Sequence, residues 1–209
     1  MKNMFSPLKR KLREKRIILA TQSIQRKELF NSTGLKFETI PSDYEEDLDK
    51  SRYSFSDYVQ ETALRKVQSV YERLKDDERH PDIIIGMDTM VACDGIFYGK
   101  PKDPEEAAQF IRKLANSGLP HMVYTGVVIK HNNKYERFVE TTTVYMRSLS
   151  EEDIMSYVET GEPMGKAGAY AIQGLGGSFV RGILGDFNNV IGLPLCSITQ
   201  RLTKMFESE

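Results

Sequence analysis

Residues 82–92 read DIIIGMDTMVA, an otherwise apolar run around one aspartate that predicts a β-strand. Asp94-Gly95 follows and predicts a tight turn into a short hairpin. Upstream, residues 17–20 predict a buried strand, and apolar residues within 59–74 recur every three or four positions, as on one face of a helix. Because strands and helices alternate, with hairpins between them, the sequence predicts an α/β protein with a mixed sheet, and neither a bundle nor a sandwich.

Caps, turns and periodicity predict the remaining elements. They are a helix at 24–33, a strand at 37–41, an acidic loop at 43–49, a Ser56 cap on the long helix, a helix opened by Asp103-Pro104, strands at 121–130 and 135–147, a helix opened by Ser150 and closed by Gly161, and a C-terminal helix from Pro194.

Residues 161–194 contain nine glycines mixed with apolar residues that favour burial. Glycine this dense among strand formers marks turns, bulges or places where a ligand meets the backbone closely. Gln173 stands just before a Gly-Leu-Gly-Gly turn, where its amide would be presented to something flat. An ordinary hairpin with a glycine-rich turn explains the same stretch.

Composition excludes several classes of protein. The 29 basic and 30 acidic residues nearly cancel, so nothing calls for bulk attraction to nucleic acid or to a membrane. No apolar run approaches the roughly 20 residues of a membrane span. Residues 1–15 are basic without an apolar core, which argues against a secretory signal. We predict a short helix there, with Leu8 and Leu12 on one face, although a transit peptide is the alternative. Residues 16–209 would form a single domain, or two lobes around a cleft.

Cysteine and histidine usage argues against a zinc site. Cys93 and Cys196 are far apart and lack a metal-ligand spacing, so we predict reduced, buried residues in a cytoplasmic protein, with a disulfide as the less favoured alternative. The three histidines form no HExxH or related array.

Asp88 is the first candidate for chemistry. A carboxylate in an apolar strand is costly unless it has partners or coordinates a cation. Gly86 permits close approach of a backbone, and Thr89 adds a hydroxyl beside the carboxylate. A functional carboxylate at the edge of a cleft is favoured over the alternative, a cap or turn aspartate at a strand end.

Basic residues occur at junctions between the predicted elements. Ser23 and Arg26 stand where the first strand meets a helix, a place that favours anions. Lys66 is either a snorkelling lysine or a phosphate ligand, and Lys100, within Gly-Lys-Pro, is by itself a plain turn lysine. Glu46 is either solvated or a ligand of a hard cation. Together these residues predict a polyanion bound with a divalent cation at the sheet edge, without a Walker A loop.

Four ordered blocks carry a family resemblance: ATQSIQRKELF at 20–30, GMDTMV at 86–91, GKP at 99–101 followed by HMVYTGV at 121–127, and GEPMGKAGAYAIQGLGGSFV at 161–180 with NVIGLPL at 189–195. From about Arg16 to the C-terminus, the chain resembles the Maf family of septum-formation-inhibitor-like nucleotide pyrophosphatases. The resemblance implies an elongated, twisted sheet with flanking helices and two lobes around a central cleft, in proteins that are often homodimers.

The resemblance also implies hydrolysis of a nucleoside triphosphate between its α- and β-phosphates, with Mg²⁺ or Mn²⁺. The residues match the branch that acts on dTTP and UTP, with CTP or modified pyrimidine nucleotides as further substrates. The implied roles fall on nine positions: Asp88 as proton acceptor, Ser23, Arg26, Lys66 and Lys100 as substrate ligands, Gln25, Thr89 and Gln173 as specificity residues, and Glu46 as a metal ligand.

One position departs from the family pattern. The first arginine of the family's Ser-Pro-Arg-Arg block is replaced by Gln25, whereas the second is retained as Arg26. A neutral amide cannot replace a guanidinium as a charge partner. Gln25 therefore favours an alternative class, a weakly active or inactive relative that binds a nucleotide and acts as a regulator. A nucleic-acid-binding module is poorly supported, because the charge is balanced.

Overall fold

The computed structural model describes residues 6–207. Within them the helices and strands, in chain order, are α1 Ser6–Lys11, β1 Ile17–Ala20, α2 Ile24–Asn31, β2 Glu38–Thr39, α3 Phe55–Leu74, β3 Ile83–Cys93, β4 Ile96–Tyr98, α4 Pro104–Asn116, β5 His121–His131, β6 Lys134–Met146, α5 Glu151–Glu159, β7 Val180–Leu184, α6 Phe187–Ile191 and α7 Leu195–Met205. Residues 1–5 of the predicted N-terminal extension and 208–209 of the predicted domain lie outside the described part. No helix in that part is long and apolar enough to cross a bilayer.

The strands form one mixed sheet in the order β2-β1-β3-β5-β6-β7, with β4 paired to β3. β1 runs parallel to both β2 and β3, and its pairing with β3 runs from Ile17 opposite Ile83 to Ala20 opposite Gly86. The β3–β4 and β6–β7 pairs are antiparallel. The prediction of an α/β protein with a mixed sheet is confirmed.

The chain divides into two compact units. The first comprises the described residues up to Asp88, Gly126–Glu140 and those from Gly192 onward. The second comprises Thr89–Thr125 and Thr141–Ile191. Within β3 the chain therefore passes from the first unit to the second between Asp88 and Thr89.

α3 packs on the sheet of the first unit through the predicted apolar stripe. All five stripe residues are buried: Val59, Ala63, Val67, Val70 and Leu74. A Cβ atom at Gly86 would lie 2.5 Å from Val67 Cγ2, so the close approach that this glycine permits is that of α3. The predicted Ser56 cap is wrong, because Ser54 is the N-cap: its side chain accepts a hydrogen bond from the Asp57 N–H group.

α1 contributes to the same unit. Leu8 and Leu12 are buried in a cluster with Phe30 and Phe206, in agreement with the predicted shared face. This contact attaches α1 to the apolar core.

Several element bounds and burial predictions differ from the structure. β2 covers two residues because only Glu38 and Thr39 pair with β1. The glycine-rich stretch is not a simple hairpin: residues 161–179 form turns and two short 3₁₀ segments, at Ala167–Ala169 and Leu175–Phe179. Only the following strand, β7, pairs with the sheet, through β6. Both cysteines are free thiols, but Cys196 is exposed rather than buried, because the buried face of α7 is the one that carries Ile198.

Candidate active site

Asp88 lies inside β3 and is only 7% exposed. Its Oδ1 atom accepts a hydrogen bond of 2.7 Å from the Lys66 ammonium. This pairing satisfies the buried charge, which would otherwise be costly. Because β3 continues to Cys93, the alternative of a cap or turn aspartate at a strand end is wrong.

Lys66 projects from α3 and bridges two carboxylates. Its Nζ atom lies 2.7 Å from Asp88 Oδ1 and 2.8 Å from Glu46 Oε1. The side chains of Lys66 and Asp88 are 11% and 9% exposed, whereas that of Glu46, in the acidic loop, is 45% exposed. The snorkelling alternative for Lys66 is wrong, because the ammonium is enclosed by carboxylates instead of reaching into solvent.

Arg26 is held against the strand that carries Asp88. From α2, its Nε atom donates to the Gly192 carbonyl at 2.8 Å and its Nη1 atom donates to the Met87 carbonyl at 3.2 Å. Burial lowers the pKa of Arg26, and the negative charges of Asp88 and Glu46 act in the opposite direction. Arginine stays protonated in proteins, so the group supplies a fixed positive charge.

Ser23 is the N-cap of α2. Its Oγ atom accepts a hydrogen bond from the Arg26 N–H group at 3.3 Å and donates one to Gln25 Oε1 at 3.1 Å. The residue that replaces the family arginine therefore binds the hydroxyl of the neighbouring cap. The carboxyl end of β1 and the first turn of α2 thus offer backbone N–H groups, a hydroxyl and a guanidinium in one place.

Thr89, Lys100 and Gln173 belong to the second unit. Thr89 Oγ1 lies 2.9 Å from Thr125 Oγ1, with either atom as the donor. Lys100 is exposed beyond β4, and Gln173 is exposed in the glycine-rich stretch. Ser23, Gln25, Arg26, Glu46, Lys66 and Asp88 all belong to the first unit, where hydrogen bonds, ion pairs and neighbouring charges connect them.

Sequence reasoning missed Tyr58. It is buried on α3, eight residues before Lys66 and therefore on the same helical face. Burial and the charges of Asp88 and Glu46 raise the pKa of Tyr58 to about 12. The phenol thus keeps its proton near neutral pH, under the influence of the two carboxylate charges. The four-residue spacing from Tyr58 through Thr62 to Lys66 was the available sequence signal.

The donor set suits a cation that is shared with a ligand. Among residues 6–207, no three histidine, cysteine or acidic side chains come together as a metal cage. Asp88 and Glu46 nevertheless converge on one ammonium, which places two carboxylates near each other. Mg²⁺ is commonly held by one or two carboxylates together with substrate phosphates and water. The residues present fit that mode of binding.

These features are typical of α/β proteins that bind phosphorylated ligands. They are the mixed sheet, the capped helix that follows β1, and the guanidinium and paired carboxylate at adjacent strands. Comparison with known families agrees with this class. The chain belongs to the family of Maf-like proteins, whose profile matches residues 16–205.

Relatives with assigned names cover most of the chain. It is 46% identical over 193 residues to a dTTP/UTP pyrophosphatase of Bacillus velezensis, covering 92% of this chain and 97% of the relative. It is 41% identical over 210 residues to a human protein named probable bifunctional dTTP/UTP pyrophosphatase/methyltransferase protein, covering 96% of this chain but only 34% of that longer protein. Among solved structures, a HAM1 protein from Coxiella burnetii aligns with a TM-score of 0.49 at 14% identity, covering 91% of this chain and 99% of that one.

Proposed function

We propose that this protein is a nucleoside triphosphate pyrophosphatase that hydrolyses dTTP and UTP to the monophosphate and pyrophosphate. The observation that carries the proposal is the pairing of Asp88 and Glu46 with Lys66, next to Arg26. The names of relatives that are more than 40% identical over most of the chain support the same substrate class.

Asp88 is proposed to orient the attacking water and accept its proton. Water adds across the α–β phosphoanhydride: its oxygen forms a new bond to phosphorus, and the bridging P–O bond breaks. The carboxylate is held by β3 on one side and by the Lys66 ammonium on the other, so its position is fixed before the substrate arrives. Such preorganisation lowers the cost of reaching the transition state.

The phosphate chain is proposed to lie at the start of α2. The Ser23 cap and the first backbone N–H groups of the helix suit phosphate oxygens. Arg26 and Lys66 would offset the charge that builds on those oxygens during attack. Lys100 is proposed as a further basic ligand of the substrate phosphates.

The charges of the cluster call for an additional cation. Arg26 and Lys66 balance Asp88 and Glu46, so the four side chains leave no net positive charge for a polyanionic substrate. We propose that Glu46 holds a divalent cation, Mg²⁺ or Mn²⁺, with Asp88 as the neighbouring carboxylate. The bound ion would neutralise phosphate charge and lower the pKa of a coordinated water.

Three residues are proposed for base choice. Thr89 and Gln173 would read the pyrimidine edge, and Gln25 would modulate selection from the position of the missing arginine. CTP and modified pyrimidine nucleotides remain proposed further substrates. A homodimer and a cytoplasmic location, which the free thiols of Cys93 and Cys196 suit, are also part of the proposal.

Release of pyrophosphate from purified protein tests the proposal directly. We would measure it with dTTP, UTP, CTP, GTP and ATP, with Mg²⁺, with Mn²⁺ and with a chelator. We expect turnover of dTTP and UTP with either cation and none with the chelator. Binding of nucleotide without pyrophosphate release would support the alternative of an inactive regulator, which Gln25 favours.

A further inference from the structure

The segment that carries Gln173 is tied at both ends to one pair of side chains. Before Gln173, the Ala171 N–H group donates to the Tyr157 hydroxyl at 3.1 Å. After it, the N–H groups of Leu175 and Gly176 donate to the two oxygens of Glu162, at 3.0 and 2.9 Å. Tyr157 donates its own hydroxyl proton to Glu162 Oε1 at 2.8 Å, so the two ends share one hydrogen-bonded system.

The packing around this pair explains two of the glycines. A Cβ atom at Gly174 would lie 2.3 Å from Glu162 Oε2, and one at Gly176 would lie 2.7 Å from the Tyr157 hydroxyl oxygen. A side chain at either position would force the Glu162 carboxylate or the Tyr157 hydroxyl to move out of the positions in which they accept these hydrogen bonds. The Gly-Leu-Gly-Gly sequence therefore lets the backbone wrap closely around the carboxylate.

The charge state suits this arrangement. Burial alone would raise the pKa of Glu162, but the N–H groups of Gly176 and Leu175 and the Tyr157 hydroxyl donate to the carboxylate and bring the pKa below its usual value. Burial, together with the hydrogen bond to Glu162, raises the pKa of Tyr157. At neutral pH the pair is a carboxylate that accepts from three donors and a phenol that keeps its proton.

Gln173 itself is exposed. An exposed glutamine on a loose segment would discriminate poorly between bases, because ordering it would cost conformational entropy at each binding event. Here the backbone on both sides is already fixed.

We propose that Glu162 and Tyr157 are positioning residues that set the base preference of the site by fixing the Ala171–Gly176 backbone around Gln173. This inference deepens the proposed function and rests on it. Neither residue needs to contact the nucleotide, since both act through the backbone amides that flank Gln173.

Glu162→Gln tests the proposal. The new amide keeps one acceptor oxygen but turns an NH₂ group toward a backbone or phenol donor, so at least one hydrogen bond is lost. We expect the preference for dTTP over CTP, measured as the ratio of the two kcat/KM values, to decrease by about tenfold. We also expect faster hydrogen exchange at the Leu175 and Gly176 amides. Glu159→Gln is the matched control, because Glu159 is exposed at the end of α5 and should leave both measurements unchanged.

Tyr157→Phe provides an independent second variant. It removes the hydroxyl but keeps the ring that packs edge-on against Phe179, with centroids 4.9 Å apart. We expect the same direction of change in the dTTP/CTP ratio. Because both residues act on one segment, the double variant should change that ratio by less than the product of the two single changes.

The outcomes separate this inference from the proposed function. If the wild-type protein released no pyrophosphate from any triphosphate, the proposed function would fail, and the role in base preference with it. Wild-type turnover combined with an unchanged dTTP/CTP ratio in folded Glu162→Gln and Tyr157→Phe would overturn the inference alone. A fall in kcat that is equal for all bases would also overturn it, since that pattern indicates a general structural role.

Discussion

The Asp88 carboxylate and the Lys66 ammonium lie 2.7 Å apart, with side chains that are 9% and 11% exposed. The first residue comes from a central strand and the second from the helix that packs on it, so the pair is as rigid as the contact between α3 and β3. Glu46 gives the same ammonium a second counter-charge at 2.8 Å. If one carboxylate is replaced, Lys66 therefore keeps its ion pair with the other, so Asp88 and Glu46 can be tested separately.

Asp88→Asn should remove nearly all turnover while the protein stays folded. The amide preserves the shape of the side chain but accepts protons poorly, and Lys66 keeps its ion pair with Glu46. We expect kcat to fall by about 100-fold or more, the scale of a lost general base. Pyrophosphate release measures the loss, and circular dichroism checks the fold.

Asp94→Asn is the matched control for that substitution. Asp94 is exposed in the turn after β3, with φ of 50°, a conformation that asparagine adopts readily. Its activity should equal that of the wild type. Near-normal turnover by Asp88→Asn would remove Asp88 from the role of proton acceptor.

Gln25→Arg should increase catalytic efficiency with dTTP and UTP. The substitution adds a cation at the first turn of α2 and releases the Ser23 hydroxyl from its bond to Gln25 Oε1. We expect kcat/KM to rise by about tenfold or more, the worth of one charged hydrogen bond. Gln22→Arg adds the same charge at an exposed neighbouring position and controls for general attraction of the anion. An equal gain from both variants would show that position 25 has no special role.

Gln173→Ala should alter base preference more than overall rate. The side chain is exposed and its removal leaves the hydrogen bonds of Glu162 to the backbone intact. We expect the kcat/KM values for dTTP, UTP and CTP to converge while kcat on the best substrate changes little. An unchanged ranking of the bases would contradict the proposed role.

Much of the fold could be predicted because its signals are local. The five-residue stripe of α3, the Asp103 cap with Pro104, and the Asp94-Gly95 turn each depend on residues close in sequence, and all three are present. The Ser56 prediction failed because two serines, Ser54 and Ser56, stand near the start of α3 and either could cap it. Only the structure shows that the side chain of Ser54 accepts the hydrogen bond from the Asp57 N–H group. The burial of Cys196 was mispredicted because a lone small residue does not reveal which face of a helix it occupies.

The candidate site could be predicted only as a set of residue types. Nothing in the sequence says that Lys66 bridges Asp88 and Glu46, because each contact joins positions that are about twenty residues apart. The hold of Glu162 on the glycine-rich segment was missed for a related reason: its partners are mainly backbone N–H groups, which leave no trace in residue identity.

Gly126→Ala should destabilise the protein. The added Cβ atom would lie 2.4 Å from the backbone carbon and oxygen of Val59, which belong to α3 and cannot move without shifting the helix. We expect the free energy of unfolding to fall by about 1–3 kcal/mol. Gly182→Ala, in β7, is the control: its added Cβ atom would have no neighbour within 4 Å, so the free energy of unfolding should change by less than about 0.5 kcal/mol. Urea unfolding compares the two, and equal stabilities would contradict the tight packing of α3 on β5.

His121 should make stability depend on pH between about pH 6.5 and 4. The ring is fully buried, its Nε2 atom lies 2.8 Å from the Tyr170 hydroxyl oxygen, and burial lowers its pKa from 6.5 to about 4. Well above pH 6.5 the ring is neutral in both the folded and the unfolded state, so it does not affect stability. As pH falls below 6.5 the unfolded chain takes up the proton while the folded protein does not, so stability falls, by about 3 kcal/mol once pH 4 is reached.

His121→Gln cannot titrate and should flatten this part of the profile of unfolding free energy, whereas His80→Gln, at an exposed position, should follow the wild type. Parallel profiles for wild type and His121→Gln would show that the folded protein accommodates the protonated ring.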